Sequence, residues 1–526
     1  MALYLGLDSS TQGLTATLIE VDGGRRTVAL TRALRYDEEL PHYGTKYGVL
    51  PSTDPTLVHA PPLMWAEALD HMLAALSREQ VDWTSLRAIS GSGQQHGSVY
   101  LNADARARLA GLDPTRPLVG QLQDGLARAT SPIWMDSSTS KQCAAIEQAL
   151  GGPKAVAALT GSRAFERFTG PQIRKFAEQE PAAYEQTDRI HLVSSWMASL
   201  LAGQHAAIDH GDGSGMNLMD LAHRRWAPAA LDATAPDLAA KLPPLATPWT
   251  VAGQLSPYWT DRYKLPPARV VVWSGDNPCS MVGTGLIREG MVAISLGTSD
   301  TIFGPMSSPK PSDDGTGHVF ASTIGNYMGM TVFKNGSLAR ERVRDEYGLT
   351  WSGFAEALRA GSAGAGGVML PWFEPEITPL VLTPGVRRFD LDPQDAAANV
   401  RAVVEAQMMA MFRHSRWMNV DIRTIYATGG AAANRDILQV MADVFNADVY
   451  QFSTTNSAAL GAALRAYHAD EAANGHDVPW SGIVTGFAEP VVTSRVSPIP
   501  ANAERYRALV DVYGRRERQA HARETW

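Results

Sequence analysis

Apolar residues fill Leu3 to Leu7, a polar stretch follows from Asp8 to Gly13, and apolar and β-branched residues resume from Leu14 to Ile19. Short apolar runs bounded by turn residues read as strands, so the chain opens on strand, tight turn, strand. The same design returns far downstream: Val292 to Leu296, then Gly297, Thr298, Ser299 and Asp300, then Thr301 to Phe303. Two similar hairpins half a chain apart predict two similar lobes made by duplication; repeats this long do not make a solenoid.

Between the hairpins the period changes. Pro62 to Leu76 and Ser138 to Leu150 space their apolar residues as helices do, whereas Ala88 to Val99 predicts a strand ending in a Gly-rich loop. Further strands are expected at Val270 to Ser274 and Ile425 to Thr428, with a helical run from Ala431 to Phe445. The pattern is mixed α/β. The Pro-rich stretch from Leu242 to Pro248 and the small residues 362–367 after Gly361 predict surface connections. The lobe boundary is expected near Gly283, giving lobes 1–283 and 284–526, with a final helical tail packing back on the first lobe.

Composition narrows the class. A chain of 526 residues is too long for one ordinary core and leaves room for two large domains. With 45% hydrophobic and 19% charged residues it should form packed cores by itself. The net charge of −8 comes without any run of Lys or Arg, which argues against nucleic acid as a partner. Cys143 and Cys279 form neither a zinc pattern nor a disulfide framework, so a reducing cytoplasm is expected. The N-terminus lacks the basic start and apolar stretch of an export signal, and no window approaches the ~20 apolar residues of a membrane span.

Several segments could carry chemistry. Asp8, Ser9, Ser10, Thr11, Gln12 and Gly13 offer a carboxylate, hydroxyls and backbone N–H groups, the set a metal-bound phosphate needs. Gly297, Thr298 and Ser299 offer a second phosphate-sized turn, while no G-x-x-x-x-G-K-[ST] run is present. Asp276 leaves a strand into Gly275-Asp-Asn-Pro278, where it could accept a proton from an attacking alcohol. Gly429 and Gly430 stand before a helical run containing Asn434, an arrangement that lets a flat ligand or phosphate approach the backbone. Gly93-Gln-Gln-His96-Gly97 is rich in groups suited to sugar hydroxyls. Each segment also reads as ordinary turn chemistry, and a lone histidine is more often structural.

Taken in order, these segments resemble the FGGY family of carbohydrate kinases over Leu5 to about Leu464. The wording that carries the resemblance is Ser90-Gly-Ser-Gly-Gln-Gln-His96-Gly-Ser, Glu166-Arg-Phe-Thr-Gly170, Gly275-Asp-Asn-Pro278, Ser295-Leu-Gly-Thr-Ser-Asp300, Phe333-Lys-Asn-Gly-Ser337 and Ala427-Thr-Gly-Gly430. Within the family it is nearest to members that phosphorylate D-xylulose. The resemblance implies two ribonuclease H-like lobes, of the actin and hexokinase type, around a central cleft. It implies that His96, Arg167, Asp276 and Asn277 contact the sugar, with Asp276 as general base. Trp351, Gly430 and Asn434 would line the adenine side. Ser9, Ser10, Thr11 and Gln12 with Gly297, Thr298 and Ser299 would follow the phosphates, and Asp8 would serve Mg2+. ATP and Mg2+ are the implied cofactors and a small sugar the implied partner of a monomer or homodimer, with no membrane or nucleic acid.

Asp212 to Asn217 resembles a family loop near the sugar, with no role assigned to any one side chain. Ala431-Ala-Ala433 departs from the small polar residue the family often has there, which puts one nucleotide contact in doubt. The rival readings are a kinase for ribulose, gluconate or glycerol, and a non-catalytic nucleotide-binding module of the same fold. The tail from Glu489 to Trp526 is short for the peptide-binding domain such a module carries. No H-E-x-x-H run or nucleophile elbow supports a hydrolase.

Overall fold

The computed structural model describes residues 1–312, 315–364, 367–452 and 456–521. They fall into two units. One comprises Met1–Ile287, Val319–Tyr327 and Thr454–Glu489; the other comprises Arg288–His318, Met328–Ser453 and Pro490–Trp526.

In the first unit, Ala2–Ser9 and Gly13–Asp22 form the opening hairpin, with Asp8 opposite Thr15 and Ser9 opposite Leu14. Arg25–Arg35 extends the sheet beyond the second strand. On the other side Leu86–Gly93 runs parallel to the first strand, and Arg269–Val271 and Ser274–Gly275 run parallel to Leu86–Gly93. Side chains alternate faces along a strand. Leu3, Leu5 and Leu7 therefore join one core with Trp65, Leu69 and Trp196. On the opposite face, a Cβ added at Gly6 would stand 2.0 Å from the Ala459 carbonyl oxygen. Both faces are covered, which is why the strand reads as a nearly unbroken apolar run.

The covering helix, Ser457–Ala473, comes from late in the chain. Small residues let it in: a Cβ on Gly461 would stand 1.9 Å from the Cys279 carbonyl oxygen, and one on Gly283 would stand 1.8 Å from that of Ser457. Its buried Arg465 donates to the carbonyl oxygens of Gly91 (3.2 Å), Val272 (3.0 Å) and Pro248 (2.8 Å), and lies 3.6 Å from the Asp209 carboxylate.

The second unit repeats the plan. Met291–Leu296 and Asp300–Met306 form the hairpin, Thr424–Thr428 runs parallel to its first strand with Thr428 beside Ser295, and Asp448–Gln451 lies beyond. Its core gathers Val292, Ile294, Met408, Tyr506 and Tyr513. The fold class is thus two ribonuclease H-like lobes of mixed α/β structure.

Several expected elements differ. Ala88 to Val99 is two strands, Leu86–Gly93 and Ser98–Asn102, because the left-handed His96 (φ 72°) breaks the run. The helix expected from Ser138 spans Ser140–Ala149. The run from Ala431 is a short 3-10 turn, Gly430–Ala433, followed by the helix Arg435–Phe445. The tail helix Pro500–His521 lies with the second unit, since Tyr506, Val510 and Tyr513 bury themselves in that core; the part of the chain that returns to the first unit is Thr454–Glu489. Part of the connection after Gly361, residues 365 and 366, lies outside the described residues, as does the end of the tail, 522–526. No described helix is long and apolar enough to cross a membrane.

Candidate active site

Sheet register builds the site of the first unit. Asp8 is paired with Ser92, and Ser92 with Ser274; one step on, Ser9, Gly93 and Gly275 form the next row. These three strands are parallel, so their carboxyl ends meet at one edge, where open α/β sheets leave groups for ligands. Asp276 follows at once. It starts the helix Asp276–Gly283 and does not sit in the expected loop, because Pro278 lies in the first turn, where an N–H has no helical partner to lose.

The Ser92 hydroxyl donates to Asp8 Oδ1 at 2.6 Å. Burial pushes the Asp8 carboxyl up to about 7; the Ser92 bond pulls against this and the charge of Asp276 adds to it. Burial likewise raises Asp276 to about 6, against the backbone N–H groups of Asn277 and Gln95. Asp276 Oδ1 accepts from the Asn277 backbone at 2.8 Å and from its amide at 3.1 Å. The same Asn277 amide donates to Gln95 Oε1 at 2.8 Å. The carboxyl is therefore oriented by its own neighbour and by the Gln95 backbone.

His96 Nδ1 lies 2.8 Å from the Gly215 carbonyl oxygen. A carbonyl only accepts, so Nδ1 carries the proton and Nε2 presents a lone pair. Burial and the nearby Arg167 push the imidazole down to about 3, so it is neutral at any physiological pH. Phe168 joins the two: its ring centroid is 4.4 Å from that of His96, and the Arg167 guanidinium lies 5.6 Å from it. Gly215 must be small, since a Cβ there would come within 3.0 Å of His96 Cε1.

The first hairpin turn is less open than its composition suggests. The Ser9 hydroxyl pairs with Tyr36 Oη at 3.1 Å, and that of Ser10 donates to the Gly13 carbonyl at 2.9 Å. Thr11 Oγ1 accepts from Trp134 Nε1 at 2.8 Å, and Gln12 is exposed. Ser92, Gln95 and Gly215 lie in segments singled out from the sequence, but their partners Asp8, Asn277 and His96 were not legible there, and Trp134 gave no signal, because each contact joins residues remote in the chain. The Asp212–Asn217 loop gains particulars: Ser194 donates to Asp212 Oδ2 at 2.5 Å, burial holds that carboxyl well above its usual range, and Asn217 Nδ2 ties the loop to Thr160 Oγ1 at 3.0 Å.

Among the described residues no group of three or more His, Cys, Asp or Glu side chains could hold a metal alone. Magnesium asks for less, since it keeps several waters and needs one or two carboxylates beside phosphate oxygens. Asp8, raised by burial and by Asp276, is a carboxylate whose ionised form a cation would stabilise, so the donor chemistry fits.

The second unit holds a pocket of about 820 Å3, a size suited to a small-molecule ligand. Gly297, Thr298, Trp351, Gly430 and Asn434 all line it, together with Phe354 and Arg340; Ser299 does not. Trp351 is 49% exposed at the start of the helix Trp351–Ala360, with the Arg344 guanidinium 4.5 Å from its ring centroid. A Cβ added at Gly430 would meet nothing within 4 Å, whereas at Gly429 (φ 85°) it would stand 2.5 Å from the Leu296 carbonyl oxygen. Gly429 is thus a packing glycine and Gly430 an open one. Asn434 Oδ1 caps the helix Arg435–Phe445, accepting from the N–H groups of Asp436 (2.9 Å) and Ile437 (3.2 Å). Its NH2 group is the part left to meet a ligand.

Residues 119–283 match the N-terminal domain and residues 292–469 the C-terminal domain of the FGGY family of carbohydrate kinases. The chain belongs to that family, and its reaction class is phosphoryl transfer from ATP to a sugar hydroxyl. Among its relatives, the chain is similar to xylulose kinase of Mus musculus, with 41% identity over 98% of this chain and 94% of that one. Xylulose kinase 2 of Arabidopsis thaliana is 42% identical over 89% of this chain and 87% of its own. A xylulose kinase structure from Rhodospirillum rubrum superposes with a TM-score of 0.81 at 18% identity, covering 99% of both chains. A gluconate kinase structure from Lactobacillus acidophilus does so with 0.80 at 18% identity, covering 98% of both. At such identities these structures bear on the fold alone.

Proposed function

We propose that the protein transfers the γ-phosphoryl group of ATP to the terminal hydroxyl of D-xylulose, yielding D-xylulose 5-phosphate and ADP. The observation that carries this reading is the buried Asp276 carboxyl, oriented just past a strand end by Asn277 and the Gln95 backbone, raised by burial to about 6 and so still ionised near neutral pH. A base so placed takes the hydroxyl proton as the oxygen bonds to phosphorus and the bond to the bridging oxygen breaks. The relatives, xylulose kinases over nearly their whole length, support the choice of sugar.

His96 offers Nε2 as acceptor to one sugar hydroxyl and Arg167 donates to another, while Asn277, whose amide hydrogens go to Gln95 and Asp276, offers its Oδ1 as a further acceptor. A neutral imidazole suits this task because an imidazolium has no lone pair. Asp8 would hold Mg2+ largely through water, and the ion would supply neutralisation of phosphate charge. Gln12 and the backbone N–H groups of the first turn would be the other phosphate-facing groups, because the hydroxyls of Ser9, Ser10 and Thr11 are engaged within the fold. In the second unit, Trp351 and Gly430 would flank the adenine and the Asn434 NH2 would donate to it, with Gly297 to Ser299 at the phosphates. Two free, buried cysteines support the expected reducing, cytoplasmic compartment.

The test is ADP release with MgATP and a panel of D-xylulose, D-ribulose, L-ribulose, glycerol and gluconate. Stimulation by D-xylulose above all others is expected. A second reading, gluconate or another polyol as substrate, is kept because the gluconate kinase fold matches as well as the xylulose kinase folds. A different winner in the panel would install it and remove His96 and Arg167 from xylulose recognition.

A further inference from the structure

The segment Phe333-Lys-Asn-Gly-Ser337 takes no part in the sugar or adenine assignments, yet it holds the second hairpin turn from behind. The Ser337 N–H donates to the Gly297 carbonyl oxygen at 2.8 Å. A Cβ at Gly336 would stand 2.6 Å from the Thr298 carbonyl oxygen and 2.8 Å from both the Gly297 carbonyl oxygen and Asp300 Oδ1. Only glycine allows that approach.

Below the turn lies an ion pair with each side chain 1% exposed: Arg340 Nη1 donates to Asp300 Oδ2 at 2.9 Å and Nη2 to Asp300 Oδ1 at 3.1 Å. Arg340 Nη1 also donates to Gln407 Oε1 at 2.8 Å. Gln407 Nε2 closes the circuit by donating to the carbonyl oxygens of Asn335 (2.7 Å) and Gly336 (2.8 Å). Glu376 secures the far side, accepting from the N–H groups of Lys334 (2.6 Å) and Asn335 (3.1 Å). A buried ion pair is a poor way to gain stability, because apolar side chains of similar volume serve as well or better. What a two-bond guanidinium–carboxylate fork supplies is direction. Asp300 is the residue that ends the turn, opposite Leu296, so the fork sets how the turn leaves the sheet.

We propose that Arg340, with Asp300 and Gln407, is a positioning device that presets the Gly297–Ser299 turn for the phosphates of the nucleotide. The inference rests on the reading of that turn as a phosphate loop. Arg340 acts through Asp300, and Gln407 through the backbone at Asn335 and Gly336.

The experiment is steady-state kinetics with MgATP and sugar varied separately, on Gln407→Leu, Arg340→Lys and Thr298→Asp, with circular dichroism and thermal unfolding of each. Gln407→Leu removes no charge, and Arg340→Lys keeps the charge but loses the fork. Both are expected to raise KM for MgATP about tenfold and to lower kcat, with KM for the sugar within about twofold. Folded variants with unchanged KM for MgATP overturn the inference, and so does failure of both to fold, which would make the network a scaffold only. Thr298 is exposed, so Thr298→Asp folds and sets a negative charge in the turn. If it raises KM for MgATP while the other two do not, the phosphate loop stands and the positioning role falls. If it too has no effect, both fall.

Discussion

The two units share a sheet plan but set different chemistry at the same edge. In the first, the strand ends carry two carboxyls, Asp8 and Asp276, both raised by burial, beside a neutral His96. In the second, the matching edge carries Gly297, Thr298 and Gly430, beside an exposed indole and a capped helix start. A repeated topology places strand ends, and the residues standing there decide what chemistry each edge offers. The first site is costly to its own fold because it gathers like charges away from water. In the second, the open glycine and exposed tryptophan disturb no core, and the buried carboxylate under the turn, Asp300, is paired with Arg340.

That contrast breaks most sharply at Asp276. Asp276→Asn should lower kcat by about 10²–10⁴-fold while calorimetry finds ADP binding unchanged; equal loss of nucleotide binding would abolish the separation of tasks. Gly430→Val should do the reverse, raising KM for MgATP by about tenfold with kcat and the melting temperature kept, because the added carbon meets open space. The pH dependence separates Asp276 from His96. The base proposed at Asp276 acts as the ionised form, so kcat/KM for the sugar should fall about tenfold per unit below about pH 6, and His96, neutral down to about 3, should add no limb. An acid limb starting near the ordinary carboxylate range, about 4, would remove Asp276 as a raised base.

The smallest effect concerns stability. A folded-state pKa raised to about 7 means that Asp8 favours the native state when protonated, and that this contribution fades as pH rises through about 7. Without metal, Asp8→Asn should therefore raise the melting temperature at about pH 8, on the order of 2 °C, and change it little at about pH 4. A loss of stability at the higher pH would show that the Ser92 bond outweighs burial.

Much of the fold was legible. Both hairpins stand where the apolar runs and Gly-containing turns put them, and Ile425 to Thr428 is a strand beside the second. The candidate site was legible as a set of segments and less so as side chains. Gly-Asp-Asn-Pro proved to be a helix start because proline suits a turn and a first helical turn equally. Ser9 and Ser10 were expected among the phosphate groups, yet which hydroxyls of a turn face inward depends on Tyr36 and Gly13, and composition is silent on that. Asn434 appeared as a ligand residue, and its carbonyl oxygen turns out to be occupied in capping. Arg340 gave no signal at all, since a charged residue in a run as polar as Ser337–Glu346 looks solvent-facing until its partner Asp300 is seen.

Local order in this protein follows from its own stretches of chain: alternation and apolar runs make strands, glycine and proline place turns, and the order of motifs marks the family. Proximity was decided elsewhere. Ser92 beneath Asp8, Gly215 against His96, Gln407 under the second turn and the return of Ser457–Ala473 to the first sheet join residues tens to hundreds of positions apart. Such pairings are chosen by which apolar faces bury together and which buried polar groups then find partners. That competition is settled across the whole core at once, and no local period in the chain records its result.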